Sequence, residues 1–234
     1  MIKKVLASNI FKLQQSTKNK KNFKIDEYNS SHSTLSIIKF EFFKDQKVNY
    51  FINNKTITEF IFIVTSGSLT LNLKENVFYL NSYDSINFFS SSLEFNLNGK
   101  KNTTALLISI KFVKNINNLG LKFFNFKKNI KILDLWGGKC ISRPYQGQFM
   151  TLVLFDLKKN FKFLDKGHFN EQITLLISGR MNFYVNKKKF ILYKNCGVDI
   201  APNQLHGGTS RGAVGFDIFY PKRVESNYKN DFIF

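Results

Sequence analysis

Short runs in which apolar and polar residues alternate recur along the whole chain, at Leu35 to Phe43, Phe60 to Val64, Leu69 to Leu73, Ser85 to Phe89, Leu93 to Leu97 and Ala105 to Phe112. After a connector around Leu119 to Ile132 the series resumes at Phe149 to Leu157, Gln172 to Ile177, Met181 to Val185, Phe190 to Tyr193, Val198 to Ala201 and Val214 to Tyr220. A period of two puts successive side chains on opposite faces of a strand, and Gly, Asn, Ser and Lys turns bound the runs. Convincing long helical patterns are few. The chain is therefore expected to be all-β, a barrel or a sandwich.

The two halves also look like repeats. EFIFIVTSGSLTLNL (Glu59 to Leu73) lines up with EQITLLISGRMNFYV (Glu171 to Val185), which sets Gly67 opposite Gly179 and Glu59 opposite Glu171. The repeat predicts two barrels, one over residues 1–125 and one over 126–234. In this register Asn54 stands opposite Lys166, Thr56 opposite His168, Phe60 opposite Gln172, and Leu93 close to the place of His206. That set has no metal-ligating character, so the first barrel is expected to hold no metal and to cover its partner or brace a dimer.

Candidate chemistry lies in the second half, where KGHFNEQITLLISG (Lys166 to Gly179) is followed by CGVDIAPNQLHGG (Cys196 to Gly208). Two of the three histidines of the chain, His168 and His206, fall here. On a regular strand Lys166, His168, Asn170, Gln172 and Thr174 share one face, while Phe169, Glu171 and Ile173 take the other. A small barrel can then point His168, Gln172 and His206 at one spot. Two neutral imidazoles and an amide oxygen hold a divalent ion and leave positions open for substrate. The plainer reading is that these are hydrogen-bonded barrel histidines, with Gln172 satisfying a neighbour's backbone.

These residues resemble the two motifs of the cupins. The first runs His-x-His, then Glu or Gln, then six residues and Gly, and Gln172 and Gly179 keep its last spacing; the second, Gly, Pro and His, is matched by Gly197, Pro202 and His206. The stretch FDIFYPKR (Phe216 to Arg223) is similar to the tail many cupins carry. The resemblance implies two tandem cupin barrels, double-stranded β-helices of the jelly-roll type. NEQI together with HGG is most similar to the bicupin isomerase type of bacilysin biosynthesis and to cupins that open unsaturated uronates. It implies a divalent transition metal, with Fe, Mn, Zn, Ni and Co not distinguished, held by His168, Gln172 and His206. The first histidine of His-x-His falls on Lys166, which leaves three ligands instead of four and weakens metal binding. Lys166 either swings to solvent or, desolvated beside the ion, acts as an acid–base group or pairs with a substrate carboxylate.

Two functions are carried forward. One is a metal-assisted enzyme of isomerase or ring-opening type, acting on a small keto acid or sugar acid, with Lys166 as a catalytic candidate. The other is a non-catalytic bicupin that binds a small molecule or carbohydrate or serves as a scaffold. Metal in stoichiometric amount favours the first, and a metal-free protein with a tight organic ligand favours the second.

Composition changes this picture little. The 234 residues suffice for two small domains with their own cores, and 27 phenylalanines suit packed β structure. A net charge of +19 would suit a polyanion, but the basic runs Lys18 to Lys24, Lys127 to Lys131, Lys158 to Lys162 and Lys187 to Lys189 are dispersed between apolar strands. No nucleic-acid module accompanies them, so no nucleic-acid partner is expected. Cys140 and Cys196 form neither a disulfide framework nor a metal clip and are expected buried and reduced. The basic start has no extended apolar stretch, and no run reaches membrane-spanning length; the expectation is a cytoplasmic protein with a small-molecule substrate, no membrane partner, and a homodimer as an option. His32 is expected at the surface, Glu171 either behind the ligand residues or at the surface, Trp136 as an anchor at the domain junction, and Arg180 and Arg223 as able to bind a carboxylate with nothing in the sequence to aim them at a pocket. Gly207 and Gly208 allow either close backbone approach or a turn.

Overall fold

The computed structural model describes residues 9–12, 22–111, 120–134, 136–223 and 232–233. Most of the basic start, Lys18 to Lys21 of the first basic run, Phe112, Leu119 and the side chain of Asn54 lie outside the described residues. Strands, and no helix, build what is described. No helix among the described residues is long and apolar enough to cross a membrane. Contacts divide the chain into two compact units: Leu13–Asn29 with Thr34–Asn129, and Met1–Lys12 with Ser30–Ser33 and Ile130–Phe234. Strand β1 (Asn9–Lys12) thus belongs with the C-terminal half, which departs from a simple division into 1–125 and 126–234.

The N-terminal unit contains β2 (Phe23–Asn29), β3 (Leu35–Phe42), β4 (Gln46–Ser66), β5 (Ser68–Leu73), β6 (Asn76–Asn81), β7 (Asp84–Gly99), β8 (Thr103–Lys111) and β9 (Lys122–Asn125). They join in the order β2-β3-β8-β4-β7-β5-β6, with β9 on β7. Strand β9 lies inside the segment expected to be a plain connector. The reason for these elements is legible in β5, where Leu69, Leu71 and Leu73 point inward and the residues between them are half-buried. Phenylalanine fills the interior: Phe40, Phe62 and Phe95 meet with ring centroids 5.9–6.2 Å apart. Burying one such ring contributes about 1.5–3 kcal/mol.

The C-terminal unit adds β10 (Leu133–Asp134), β11 (Cys140–Gln146), β12 (Thr151–Leu157), β13 (Lys162–Asp165), β14 (Glu171–Val185), β15 (Lys188–Tyr193), β16 (Cys196–Ile200), β17 (His206–Tyr220) and β18 (Phe232–Ile233). The order is β1-β16-β14-β17-β12-β11-β10, with β13 between β17 and β18 and β15 on β14. Strand β14 is central and pairs with β15, β16 and β17.

The internal repeat is visible in the backbone. Gly67 and Gly179 both adopt φ +77°, a left-handed conformation that side chains disfavour. A Cβ on Gly179 would lie 1.8 Å from the Gly212 carbonyl oxygen. Turns elsewhere use the tolerance of asparagine for the same region, at Asn102, Asn160, Asn186, Asn195 and Asn203. Leu73 pairs with Phe95 as Val185 pairs with His206, so Phe95 takes the place of His206 in the first barrel, two residues from Leu93. Phe60, opposite Gln172, stacks on Phe88 at 5.3 Å. Where the second barrel carries polar chemistry, the first carries rings.

Candidate functional site

Three strands and one loop build a polar cluster inside the C-terminal barrel. Asp165 ends β13 and pairs across the ladder with His206, the first residue of β17. Gln172 sits on β14 between Ile200 and Phe219. His168 comes from the loop between β13 and β14. Gly167 shapes that loop: it takes φ +100°, donates its N–H to Asp165 Oδ1 at 2.8 Å, and leaves no room for a Cβ against the Asn203 backbone. Asn203 N–H donates to the His168 carbonyl at 2.7 Å and holds the loop from the other side.

The regular strand expected over Lys166 to Thr174 therefore begins only at Glu171. The break at Gly167 changes which residues face inward. Lys166 is exposed, and its neighbour Asp165 is 1% exposed and turned into the barrel. His168, Gln172 and His206 are all buried, and the structure brings them together. The rings of His168 and His206 stand 5.4 Å apart and perpendicular, and a His168 ring nitrogen, Nε2, lies 3.0 Å from Gln172 Oε1.

Hydrogen bonds fix the direction of each group. Gln172 Nε2 donates to Thr174 Oγ1 at 2.9 Å and to Asp217 Oδ1 at 3.1 Å, which turns the amide oxygen toward His168. His206 Nδ1–H donates to the Gln204 carbonyl at 2.8 Å, so Nε2 keeps its lone pair and faces Asp165 Oδ2 at 4.0 Å. Arg223, 1% exposed, places Nη2 3.3 Å from Asp165 Oδ2 and stacks its guanidinium 5.0 Å above Phe219. Its backbone is pinned: Arg223 N–H donates to Thr151 Oγ1 at 2.9 Å, and Gln146 Nε2 donates to its carbonyl at 2.8 Å.

Burial sets the protonation of the cluster. It pushes the His168 imidazole down to about 4, with the Arg223 and His206 charges acting the same way. It lowers His206 as well. Burial pushes Asp217 up to about 6 against the opposing hydrogen bonds from Thr174 and Gln172. Both histidines are neutral at pH 7, the form that ligates a metal.

Asp165, His168 and His206 present ligand atoms that all lie within 4.8 Å of one another. Two imidazoles and a carboxylate with open positions form a donor set suited to Fe, Mn, Zn, Co or Ni. The buried His168 Nδ1, which has no hydrogen-bond partner, and the free Nε2 of His206 fit such an ion. Arg223 opposes it, since a guanidinium beside Asp165 competes for the same carboxylate. The cluster opens onto a cavity of about 60 Å³.

The structure corrects the expectations for Arg223 and His32 and answers the others as follows. Arg223 is aimed into the cavity, by the clamp on its backbone that no local pattern encodes. Trp136 lines the same cavity, its ring 5.5 Å from Phe161. Glu171 points away from Gln172, and of its two expected places the surface is excluded: it is 3% exposed and accepts a hydrogen bond from Ser30. The His32 side chain is 4% exposed and lies 3.8 Å from Asp199. The burial of His32 is not legible locally, because the Ser30–Ser33 turn is distant in sequence from Asp199, which it contacts. Arg180 is exposed, Cys140 and Cys196 are buried and free, and Gly207 and Gly208 make close backbone approaches, to Phe163 O and Asn182 O. Asp165 was missed altogether. The signal for it was Asp-Lys-Gly-His, in which a glycine next to the histidine can break strand alternation.

An all-β barrel with a metal-competent cluster on β13, β17 and the loop after β13 is the class that fold and site define. No family model matches the sequence, and no curated protein matches it. Solved structures do. Bacillus subtilis oxalate decarboxylase, a protein with Mn(II) centres, superposes with TM-score 0.72 at 11% identity, over 94% of this chain and 79% of that one. The Ylba protein of E. coli gives 0.69 at 14% identity over 93% of each chain. A cupin 2 conserved barrel domain protein from Leptotrichia buccalis gives 0.59 at 13%, over 94% and 99%. The fold is that of the cupins, in two barrels.

Proposed function

We propose that the C-terminal barrel is the site of a metal-dependent enzyme that isomerises or opens a small keto acid or sugar acid by moving a proton. The observation that carries this reading is the convergence of Asp165, His168 and His206 on one buried spot beside a cavity, with Gln172 in contact. Asp165, His168 and His206 would hold the ion, with Gln172 oriented by Thr174 and Asp217 as a further oxygen donor. A divalent ion there supplies Lewis acidity toward a substrate oxygen. Arg223 orients an acidic substrate by charge. Asp217, fixed by Thr174 Oγ1 at 2.6 Å and lining the cavity, is the group placed to take and return a proton. Phe163 and Phe219 line the same space. The exposed Lys166 has no part in these steps, and a cytoplasmic setting is consistent with the two free cysteines.

The test combines metal content with proton transfer. Elemental analysis of the protein after loading with Mn(II) should give about one ion per chain, and His168→Ala should lose it. The loaded protein should promote deuterium uptake next to the carbonyl of 2-oxobutanoate, and Asp217→Asn should slow this about 100-fold or more. Absence of bound metal together with no exchange above buffer would sink the proposal. The Arg223–Asp165 pair favours a second reading, in which the ion pair takes the place of a metal and the barrel binds a ligand without reacting it. Substoichiometric metal with saturable binding of an organic acid supports that alternative.

A further inference from the structure

The lining of the cavity is of two kinds, and that difference narrows the ligand. Asp165, His206 and Arg223 line it as one charged group, and Asp217 lines it bound to Thr174 and Gln172. Ring contacts then run in series away from His206, through Phe183 at 6.2 Å, Phe163 at 6.1 Å and Phe161 at 6.2 Å to Trp136 at 5.5 Å. Of these rings Phe163, Phe161 and Trp136 line the cavity; Phe155, Leu157 and Met181 complete its wall, and all three belong to one apolar cluster with Phe161.

From this we infer that the barrel takes a short-chain acid with an apolar body, its carboxylate at Arg223 and its carbon chain against the wall ending at Trp136, and that it rejects polyhydroxylated sugar acids. The inference rests on the metal-dependent reading and chooses between the two substrate classes left open there. Charge gives the first half of the argument. A divalent ion and Arg223 together bring three positive charges into a buried space against at most two carboxylates, Asp165 and Asp217. A ligand that carries a negative charge of its own neutralises the remainder, which a neutral one cannot do.

The wall gives the second half. A ligand hydroxyl pressed against Phe155, Leu157, Phe161 or Met181 gives up water, and the polar groups beside that wall, Cys140 Sγ and Ser142 Oγ, lie 3.4 Å apart and are already paired with each other. Each such hydroxyl weakens binding by about tenfold or more. A methylene in the same place gains instead. Size agrees, because about 60 Å³ of cavity holds only a few water-sized groups, at roughly 10–15 Å³ each, which suits a chain of about four carbons.

Trp136 is the only tryptophan of the chain, so its fluorescence reports on this cavity without a label. The experiment loads the full-length protein with Zn(II), confirms the metal content by elemental analysis, and titrates butanoate, threonate and butyramide. The three share a four-carbon skeleton and differ in hydroxyls or in charge. Saturable change with butanoate, at least tenfold weaker with both threonate and butyramide, is the expected result. Threonate binding within threefold of butanoate overturns the apolar wall, butyramide within threefold overturns the carboxylate, and no saturation with any of the three overturns both. Should the protein hold no Zn(II) yet prefer butanoate to threonate, the metal-dependent reading fails while the apolar specificity stands. Normal Zn(II) content with a preference for threonate does the reverse.

Discussion

In the metal-free protein His168 and Asp217 titrate in opposite senses over nearly the same pH range, and separating them tests the electrostatics of the site. His168 falls from 6.5 to about 4 in the folded state, because burial and the nearby Arg223 and His206 disfavour its charged form. Asp217 rises from 3.8 to about 6, because burial disfavours its carboxylate. At pH 5 the folded chain keeps a neutral imidazole and a protonated carboxyl, while the unfolded chain has an imidazolium and a carboxylate. Each state binds one proton at the pair. A depressed histidine makes folding more favourable as pH rises from about 4 to 6.5; a raised aspartate makes it less favourable as pH rises from 3.8 through about 6. Each effect changes stability by about 1.4 kcal/mol per pH unit while it lasts, so between pH 4 and 6 the two nearly cancel.

Removing one partner exposes the other. Asp217→Asn should steepen the rise of stability with pH, relative to wild type, by about 1.4 kcal/mol per unit, or about 2.7 kcal/mol across the shared window. His168→Gln should lower the same slope by a similar amount. His206, also held below its ordinary value by burial, is present in all three proteins and drops out of the comparison. The assay is urea unfolding in the presence of a chelator at half-unit steps from pH 4 to 6.5. Trp136 fluorescence restricts the reading to the C-terminal barrel. Three parallel lines would refute the reasoning, since they would mean that neither group differs in protonation between the folded and unfolded states.

Three further outcomes follow from the geometry. Asp165→Asn should destabilise the barrel by about 3–5 kcal/mol in urea melts by removing the buried counter-charge of Arg223, and Asp165→Asn combined with Arg223→Met should recover most of that loss; a double variant as unstable as the single one would mean the pair is not what was broken. Gly179→Ala should lower stability by well over 1–2 kcal/mol, the cost of the left-handed conformation alone, because its Cβ meets the Gly212 carbonyl, and a thermal melt within a degree of wild type would contradict the observed turn. Lys166→Ala should leave Mn(II) affinity within about twofold of wild type by titration, as its side chain is exposed, whereas a tenfold change would place it in the cavity.

What sequence could supply here was set by how far each cause reaches along the chain. Strand alternation acts between neighbours, so the strands around Leu69 to Leu73 and Met181 to Val185 could be read directly, and so could the equivalence of Gly67 and Gly179, which answer to one local backbone need. His168, Gln172 and His206 were legible because two of three histidines fell into spacings that a barrel brings together. Asp165 was hidden by a local exception, since Gly167 breaks the alternation that would have turned Asp165 away from His168. Arg223 was hidden by distance: the clamp that aims it uses Thr151 and Gln146, and its charge partner Asp165 lies 58 residues away.

The same distinction explains why the two barrels differ in chemistry while sharing a backbone. At the position of Gln172 the first barrel has Phe60, stacked on Phe88, and at the position of His206 it has Phe95, packed on Phe40 and Phe62. Each ring fills volume that polar groups and a cavity occupy in the second barrel. Converting one barrel to the other would thus need several coordinated changes, because a histidine placed at Phe95 alone would bury an imidazole among the rings of Phe40, Tyr50 and Phe62. Phe95→His should accordingly destabilise the N-terminal barrel by about 3 kcal/mol or more without adding a metal ion. A rise in Mn(II) stoichiometry for that variant would show that the polar surroundings of the second site are not required for binding.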